Sequence, residues 1–314
     1  MALTSFLFPI IIEDNNTTWA GGSKLKILSE NIIFNMDAEN EAVLSVDSGA
    51  RVTFETLDCF SNTVLSSEDL VSSIDFSKVN PATGPLYVNG AEVGDTLKVT
   101  INQIRLAEQG AVVTAPGLGR LADHIEKEET VICKVTEEGV DYHGVKIPLK
   151  KMIGVIGTAP AGEAVNTGTP GDHGGNMDTS RIAEGSILYL PVNVKGALLA
   201  LGDLHATMGD GEIMGSGLEI AGEVDVTVEV VKDFPLPLPL VETEDLWVTI
   251  GSRENMEEAS DVAILNMTEV ITQKSTLTLN QAGMLLTLAG RLVACQVVNP
   301  NVTMRMELPK SILK

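Results

Sequence analysis

Asp225-Val-Thr-Val-Glu229 sets polar against apolar residues one by one, which in an extended chain puts Val226 and Val228 on one face and the polar side chains on the other. That period of two specifies a strand with one face against a core. The stretch is one of a series: Val43 to Val46, Val52 to Leu57, Thr96 to Ile101, Val131 to Val135, Ile187 to Leu190, Ala197 to Leu201 and Val224 to Val231 are short β-branched runs separated by Gly, Asn, Asp and Pro. This pattern predicts an all-β sandwich or barrel over residues up to about 232. Asn89-Gly90 is a hairpin signal, and Gly94-Asp95 opens the strand TLKVTI.

The pattern changes after Phe234. Pro235, Pro237 and Pro239 deny backbone donors and favour an extended connector. Glu254 to Lys274 then places Met256, Ala259, Ala263, Met267, Val270 and Ile271 at helical spacing, with acidic residues in the first turn. Thr278 with Gln281 reads as a capping box for a second helix, followed by the strand LVACQVV. The C-terminal part is therefore α+β.

The formal charge of −22 over 314 residues excludes nucleic acid and anionic membrane as main partners, since phosphate binding needs clustered Lys and Arg. A small neutral substrate or a cation fits better. Three cysteines without a CxxC pair indicate reduced thiols and a cytoplasmic location. The apolar run Phe6 to Ile12 lacks a basic flank and is too short to span a bilayer, so it reads as a leader or an edge strand.

The chemistry concentrates between Gly174 and Glu219, which ends GDLHATMGDGEIMGSGLE. Clustered carboxylates repel unless a cation or proton lies between them, and dense glycine lets the main chain turn tightly or approach a ligand. Asp203 and His205, two apart on a strand, share a face and can ligate one ion; the alternative is a structural Asp–His hydrogen bond, which the acidic surroundings disfavour. Glu212 reads either as a general base or as a solvated turn carboxylate. Asp58, ending the strand through Glu55, reads either as a ligand or as the cap of the turn to Asn62. Cys59 reads better as a buried small hydrophobe than as a nucleophile, because it has no basic neighbour. Asn176 and Asp178, in HGGNMDTSR, fit either a pocket wall or a capped turn. DGEIMGSGLE lacks the ligand ladder of an EF-hand, and GVIGTAPAG is neither GxGxxG nor a Walker loop.

PGDHGGNMDTSRI, LYLPV and GDLHATMGDGEIMGSGLE, with SGARVTFETLDCFSN and NPATGPLYVNGAEVGDTLKV upstream, resemble the acetamidase/formamidase family over residues from about 24 to 310. The resemblance implies hydrolysis of the C–N bond of short linear amides by a cytoplasmic homo-oligomer, with zinc bound and calcium at a second position. It implies a metal on Asp58, Asp203 and His205 with Glu219 as a further ligand, a pocket lined by Asn176 and Asp178, and Glu212 as base with Asp210 beside it in a catalytic turn. It also divides the chain into an N-terminal extension (1–23), a β-sandwich carrying the site (24–80 and 151–234), a small β-barrel-like insert (81–150) and the α+β subdomain (235–314). Two other functions compete: a non-catalytic binding protein with a calcium-stabilised β scaffold, and a hydrolase of the same family acting on another amide or a cyclic imide.

Overall fold

The computed structural model describes residues 25–313; the apolar run Phe6 to Ile12 and the whole of the proposed 1–23 extension fall outside them. Two large sheets carry the molecule. The first has nine strands in the spatial order Leu25–Ile27, Ala50–Thr56, Gly222–Val231, Thr96–Leu106, Ile187–Pro191, Leu240–Glu242, Leu246–Arg253, Val302–Pro309 and Arg291–Gln296. The second has eleven, with Leu199–His205 paired to Met152–Gly157, Glu219–Ile220 and Ala82–Asn89.

The alternation in DVTVE behaves as its period demands. Val224, Val226 and Val228 join Val52, Phe54, Leu97, Val99 and Ile101 of the first sheet, and Leu86, Ile153, Ile156, Leu201 and Leu204 of the second, in one buried cluster. Each fully buried aliphatic side chain of this kind contributes about 1.5–3 kcal/mol relative to exposure. The opposite face departs from the expected solvated one: Asp225 is buried, accepting from Arg51 Nε at 2.5 Å and Asn102 Nδ2 at 2.9 Å. Its charge is compensated rather than hydrated.

The strand expected over Ala197 to Leu201 begins two residues later. Ala197 and Leu198 take left-handed conformations (φ 63° and 55°) in a turn, and the strand then runs on through Asp203 to His205. The helices form as the periodicity requires. Helix α1 spans Met256–Lys274, capped by the Asn255 side chain, and α2 spans Leu279–Ala289 with the complete Thr278/Gln281 capping box. Ala263, Met267, Val270 and Ile271 of α1 pack with Leu286 of α2 and with Leu240, Met306 and Leu308 of the first sheet.

The strands cross the boundaries drawn from the sequence. Within 81–150, Ala82–Asn89 pairs with Leu199–His205, and Thr96–Leu106 lies between Gly222–Val231 and Ile187–Pro191. The remaining strands from Gln109 to Ile147 extend the second sheet as an antiparallel ladder, and among the described residues no sheet closes into a barrel. The proline connector does not end the first sheet either: Leu240–Glu242 pairs with Ile187–Pro191, so the strands of the C-terminal part continue it. No described helix is long and apolar enough to cross a membrane.

Candidate active site

The Leu199–His205 strand is buried along its whole length, so any polar side chain it carries must find partners inside the protein. Asp203 breaks its regularity. With φ 57° it lies between the regular pairs Gly202↔Val155 and Leu204↔Ile153, opposite Gly154, over which its carboxylate folds. A Cβ on Gly154 would meet the Asp203 carboxylate and stand 2.5 Å from Asp178 Oδ1, so only glycine fits. Glu219 is the cross-strand partner of His205. Asp178 follows the strand Gly174–Asn176, which pairs with the other edge of Met152–Gly157. Glu212 stands on the turn between His205 and Glu219. Asp178 (φ 45°) and Glu212 (φ 46°) share the left-handed conformation of Asp203, a backbone state that costs on the order of 1–3 kcal/mol per residue and that clusters at functional sites.

These five side chains converge. His205 Nε2 lies 3.2 Å from Glu219 Oε1, 3.5 Å from Asp203 Oδ1 and 3.9 Å from Asp178 Oδ1, all four side chains being buried. Atoms of Asp178, His205 and Glu212 lie within 4.8 Å of one another, as do those of Cys59, Asp203 and Glu219. Asn176, with its amide nitrogen turned to the carboxylates, donates to Asp203 Oδ2 at 3.1 Å and Asp178 Oδ2 at 2.8 Å, while its oxygen accepts from Asn80 and Asn299. Asn299 also donates to Asp178 Oδ2 at 2.8 Å. Asn176, Asp203, Glu212 and Glu219 line a cavity of about 130 Å³ whose other walls include Phe60, Val71, Ile74, Phe76 and Leu118.

Two residues expected at the site stand differently. Asp210 turns away from the cluster to Arg305, with two 2.9 Å contacts, and takes a further hydrogen bond from Ser180. Burial works against its charge, but the Arg305 contacts hold its carboxyl below the usual range, so it is a poor proton carrier. Asp58 Oδ1 accepts from the amides of Phe60 (3.0 Å) and Asn62 (2.7 Å), the turn-capping alternative. Asn80, Asn299, Gly154 and Arg305 escape sequence reasoning. Asn299-Pro300 signals only a turn, and nothing local says that this turn reaches Asp178.

The electrostatics are those of a site built for a positive charge. Burial, then the Asp203 charge, push the Asp178 carboxyl up to about 7. Glu219 also rises to about 7, through burial and Asp203 against the opposing pull of His205. Burial and Asp178 drive Glu212 well above the carboxylate range. Burial alone would discharge His205, but Glu219 and Asp203 outweigh it and raise the imidazole well above its ordinary value. Burial, with Glu219 and Asp203 behind it, also raises the Cys59 thiol, so it stays protonated without a cation. Both ring nitrogens of His205, Glu212 Oε2 and Glu219 Oε2 are buried without a hydrogen-bond partner. Orphaned donors and acceptors at this depth, facing one another, fit a bound cation.

His173, outside the cluster, gives a separate expectation. Burial lowers its imidazole to about 4 from 6.5. The folded state therefore resists a proton that the unfolded chain accepts, so stability is full above pH 6.5 and is lost as the pH falls toward 4. The wild-type-minus-His173→Gln difference in unfolding free energy is expected to shrink across that window by on the order of 3 kcal/mol. Denaturant melts at pH 7, 5.5 and 4.5 check it; a pH-independent difference would refute the assignment.

The acetamidase/formamidase family model matches residues 35–167 and 161–314, nearly the whole described chain. The chain belongs to the acetamidase/formamidase family. Within that family it is similar to the crystal structure of an acetamidase from Bacillus halodurans, with 47% identity, a TM-score of 0.90 and coverage of 92% of this chain and 98% of that one. It is 28% identical over 255 residues to a putative formamidase of Schizosaccharomyces pombe, covering 60% of this chain and 61% of the relative. It is 29% identical over 221 residues to a formamidase of Methylophilus methylotrophus, covering 52% and 54%. The chain thus spans only about half to three fifths of the length of these two formamidase relatives.

Proposed function

We propose that this acetamidase/formamidase family member is a metal-dependent amidase that hydrolyses short linear amides, formamide or acetamide, to ammonia and a carboxylate. The observation that carries the reading is the buried, partnerless imidazole of His205 facing Asp178, Asp203 and Glu219, the last two of which line a cavity of about 130 Å³. Membership of a family whose relatives are named acetamidase and formamidase supports the amide chemistry.

His205, Asp203, Glu219 and Asp178 would hold the cation, and an imidazole among carboxylates suits zinc better than calcium, which takes oxygen ligands. A zinc ion bound there would polarise the amide carbonyl and acidify a water. The protein side of the reaction falls to Glu212 and the asparagines. Glu212 Oε2 is unpartnered and lines the cavity; burial and Asp178 favour its protonated form, but a cation bound in the cluster would favour the carboxylate, which can then accept a proton from the attacking water and return it to the departing nitrogen, completing RCONH2 + H2O to RCOOH + NH3. Asn176 and Asn299 fix Asp178 and Asp203 in place. The apolar walls limit the acyl group to a small one and keep bulk water away from the reacting carbon.

Purified protein is expected to release ammonia from formamide and acetamide, and to lose that activity on dialysis against a chelator. Removing the metal should also lower the melting temperature. At a hundredfold excess of metal over Kd the stabilisation is about 2.7 kcal/mol. The sign with pH follows from the raised Asp178 and Glu219 carboxyls: without a cation they help the fold while protonated and lose that contribution as the pH rises through about 7. The chelator effect is therefore larger at pH 8 than at pH 6. Activity and melting temperature both indifferent to chelator would overturn the metal assignment; no ammonia from any short amide would overturn the amidase reading.

A further inference from the structure

Asp210 and Arg305 form a connection between the candidate site and the C-terminal strands that the chemistry above leaves unused. Arg305 is 1% exposed and sits on Val302–Pro309. Its guanidinium grips Asp210 through two contacts of 2.9 Å and donates from Nε to Glu307 Oε1 at 2.8 Å. Glu307 also accepts from Arg181, at 2.7 and 3.2 Å. Asp210 is two residues before Glu212, and Arg181 is three residues after Asp178. The network therefore ties together the two segments that deliver Asp178 and Glu212. The backbone repeats the connection: Gly211 N donates to Cys295 O at 2.8 Å, and Val297 N donates to Gly211 O at 3.2 Å.

An ion pair between a buried guanidinium and a partly exposed carboxylate is weak evidence for stability. A planar guanidinium held by two carboxylates is, however, an effective way to fix a turn in one geometry. The turn in question needs it, since its glycines at 209, 211, 215 and 217 allow many conformations and Glu212 must hold φ 46°.

We infer that Arg305 is a positioning residue: through its two-point contact with Asp210 it locks the Gly209–Gly217 turn so that the Glu212 carboxylate stays at the cavity, making the C-terminal strands part of the active-site framework. The inference rests on the amidase reading for its kinetic consequence but not for its structural one.

Hydrogen–deuterium exchange of the Gly209–Gly217 amides and steady-state ammonia release from formamide test it on the full chain, with Arg305→Met, Asp210→Asn and Asp210→Glu. Asp210 is partly exposed, so Asp210→Asn remains a usable variant if Arg305→Met fails to fold. Expected are faster exchange confined to that turn in Arg305→Met and Asp210→Asn, and a fall in kcat on the order of 10- to 100-fold, as for a misplaced catalytic group. KM should stay within about twofold, because the loss falls on a group acting in the transition state. Asp210→Glu, which keeps the charge, should recover part of both. Unchanged exchange and kcat in a folded Asp210→Asn protein would overturn the inference, as would a loss of kcat with wild-type exchange. Wild-type protein inactive on every short amide would defeat the amidase reading, and the exchange measurement would then decide this inference alone.

Discussion

Replacing His205 with alanine is expected to lower kcat/KM for formamide by about a thousandfold or more, equivalent to about 4 kcal/mol of barrier, and to abolish tight zinc binding. His205 is the one imidazole in a pocket otherwise made of oxygen ligands and Cys59, with Nε2 between 3.2 and 3.9 Å from three buried carboxylates. Its loss would take away a ligand of the proposed metal and the only side chain in the cluster able to carry positive charge. In the metal-free protein it leaves Asp178, Asp203 and Glu219 facing one another, and removing one partner of a buried charged cluster costs about 3–5 kcal/mol. That cost should shrink as the pH falls below about 7, where Asp178 and Glu219 take up protons themselves. Metal analysis, ammonia release and denaturant melts at pH 6 and 8 measure the three effects. A His205→Ala protein that retains zinc and turnover would remove this residue from the site.

Gly154→Ala is the second large effect expected, from a position with no chemistry of its own. The new methyl would be driven into the Asp203 carboxylate, to 2.5 Å from Asp178 Oδ1 and to 2.9 Å from the Asp203 carbonyl. Both carboxylates are held by Asn176 and cannot retreat without breaking its hydrogen bonds. Overpacking of this kind costs about 1–3 kcal/mol. Displacing these two carboxylates of the proposed metal site by a few tenths of an ångström or more should reduce kcat/KM by on the order of 100-fold. Gly283→Ala is the matched control. Gly283 lies in α2 with nothing within 4 Å of a new Cβ, so that change should stabilise by about 0.5–1 kcal/mol and leave activity alone. Calorimetry with ammonia release separates the two; a Gly154→Ala protein as stable and active as wild type would show that the carboxylates need not converge there.

Much of this molecule was legible along the chain. Helix α1 and the Thr278 capping box follow from side-chain spacing within a few turns, and DVTVE announces its buried face because a strand's period is local. Asp203 and His205 stood out because glycine and acid in that density have little use in a core. Their supposed shared face is subtler in the structure, since Asp203 reaches the cluster through a left-handed kink over Gly154 rather than through regular alternation. Asp210, one glycine from Glu212, is expected beside that base in the same catalytic turn. What separates them is Arg305, ninety-five residues later, which captures one carboxylate and leaves the other at the cavity.

The chemical character of the chain is therefore written in its residue types and short spacings: the mainly β class, the two C-terminal helices, and a site of carboxylates and one imidazole. These depend on interactions over a few residues, where propensity and periodicity act directly. Which strands pair, and hence that Thr96–Leu106 lies inside the first sheet and that the ladder from Gln109 to Ile147 remains open, depends on hydrogen bonds between segments far apart in sequence, for which many strands of similar pattern are interchangeable partners. The same holds for Asn80, Asn299 and Arg305. Their roles come from where the backbone carries them, and that position is set only when both sheets close over the common core.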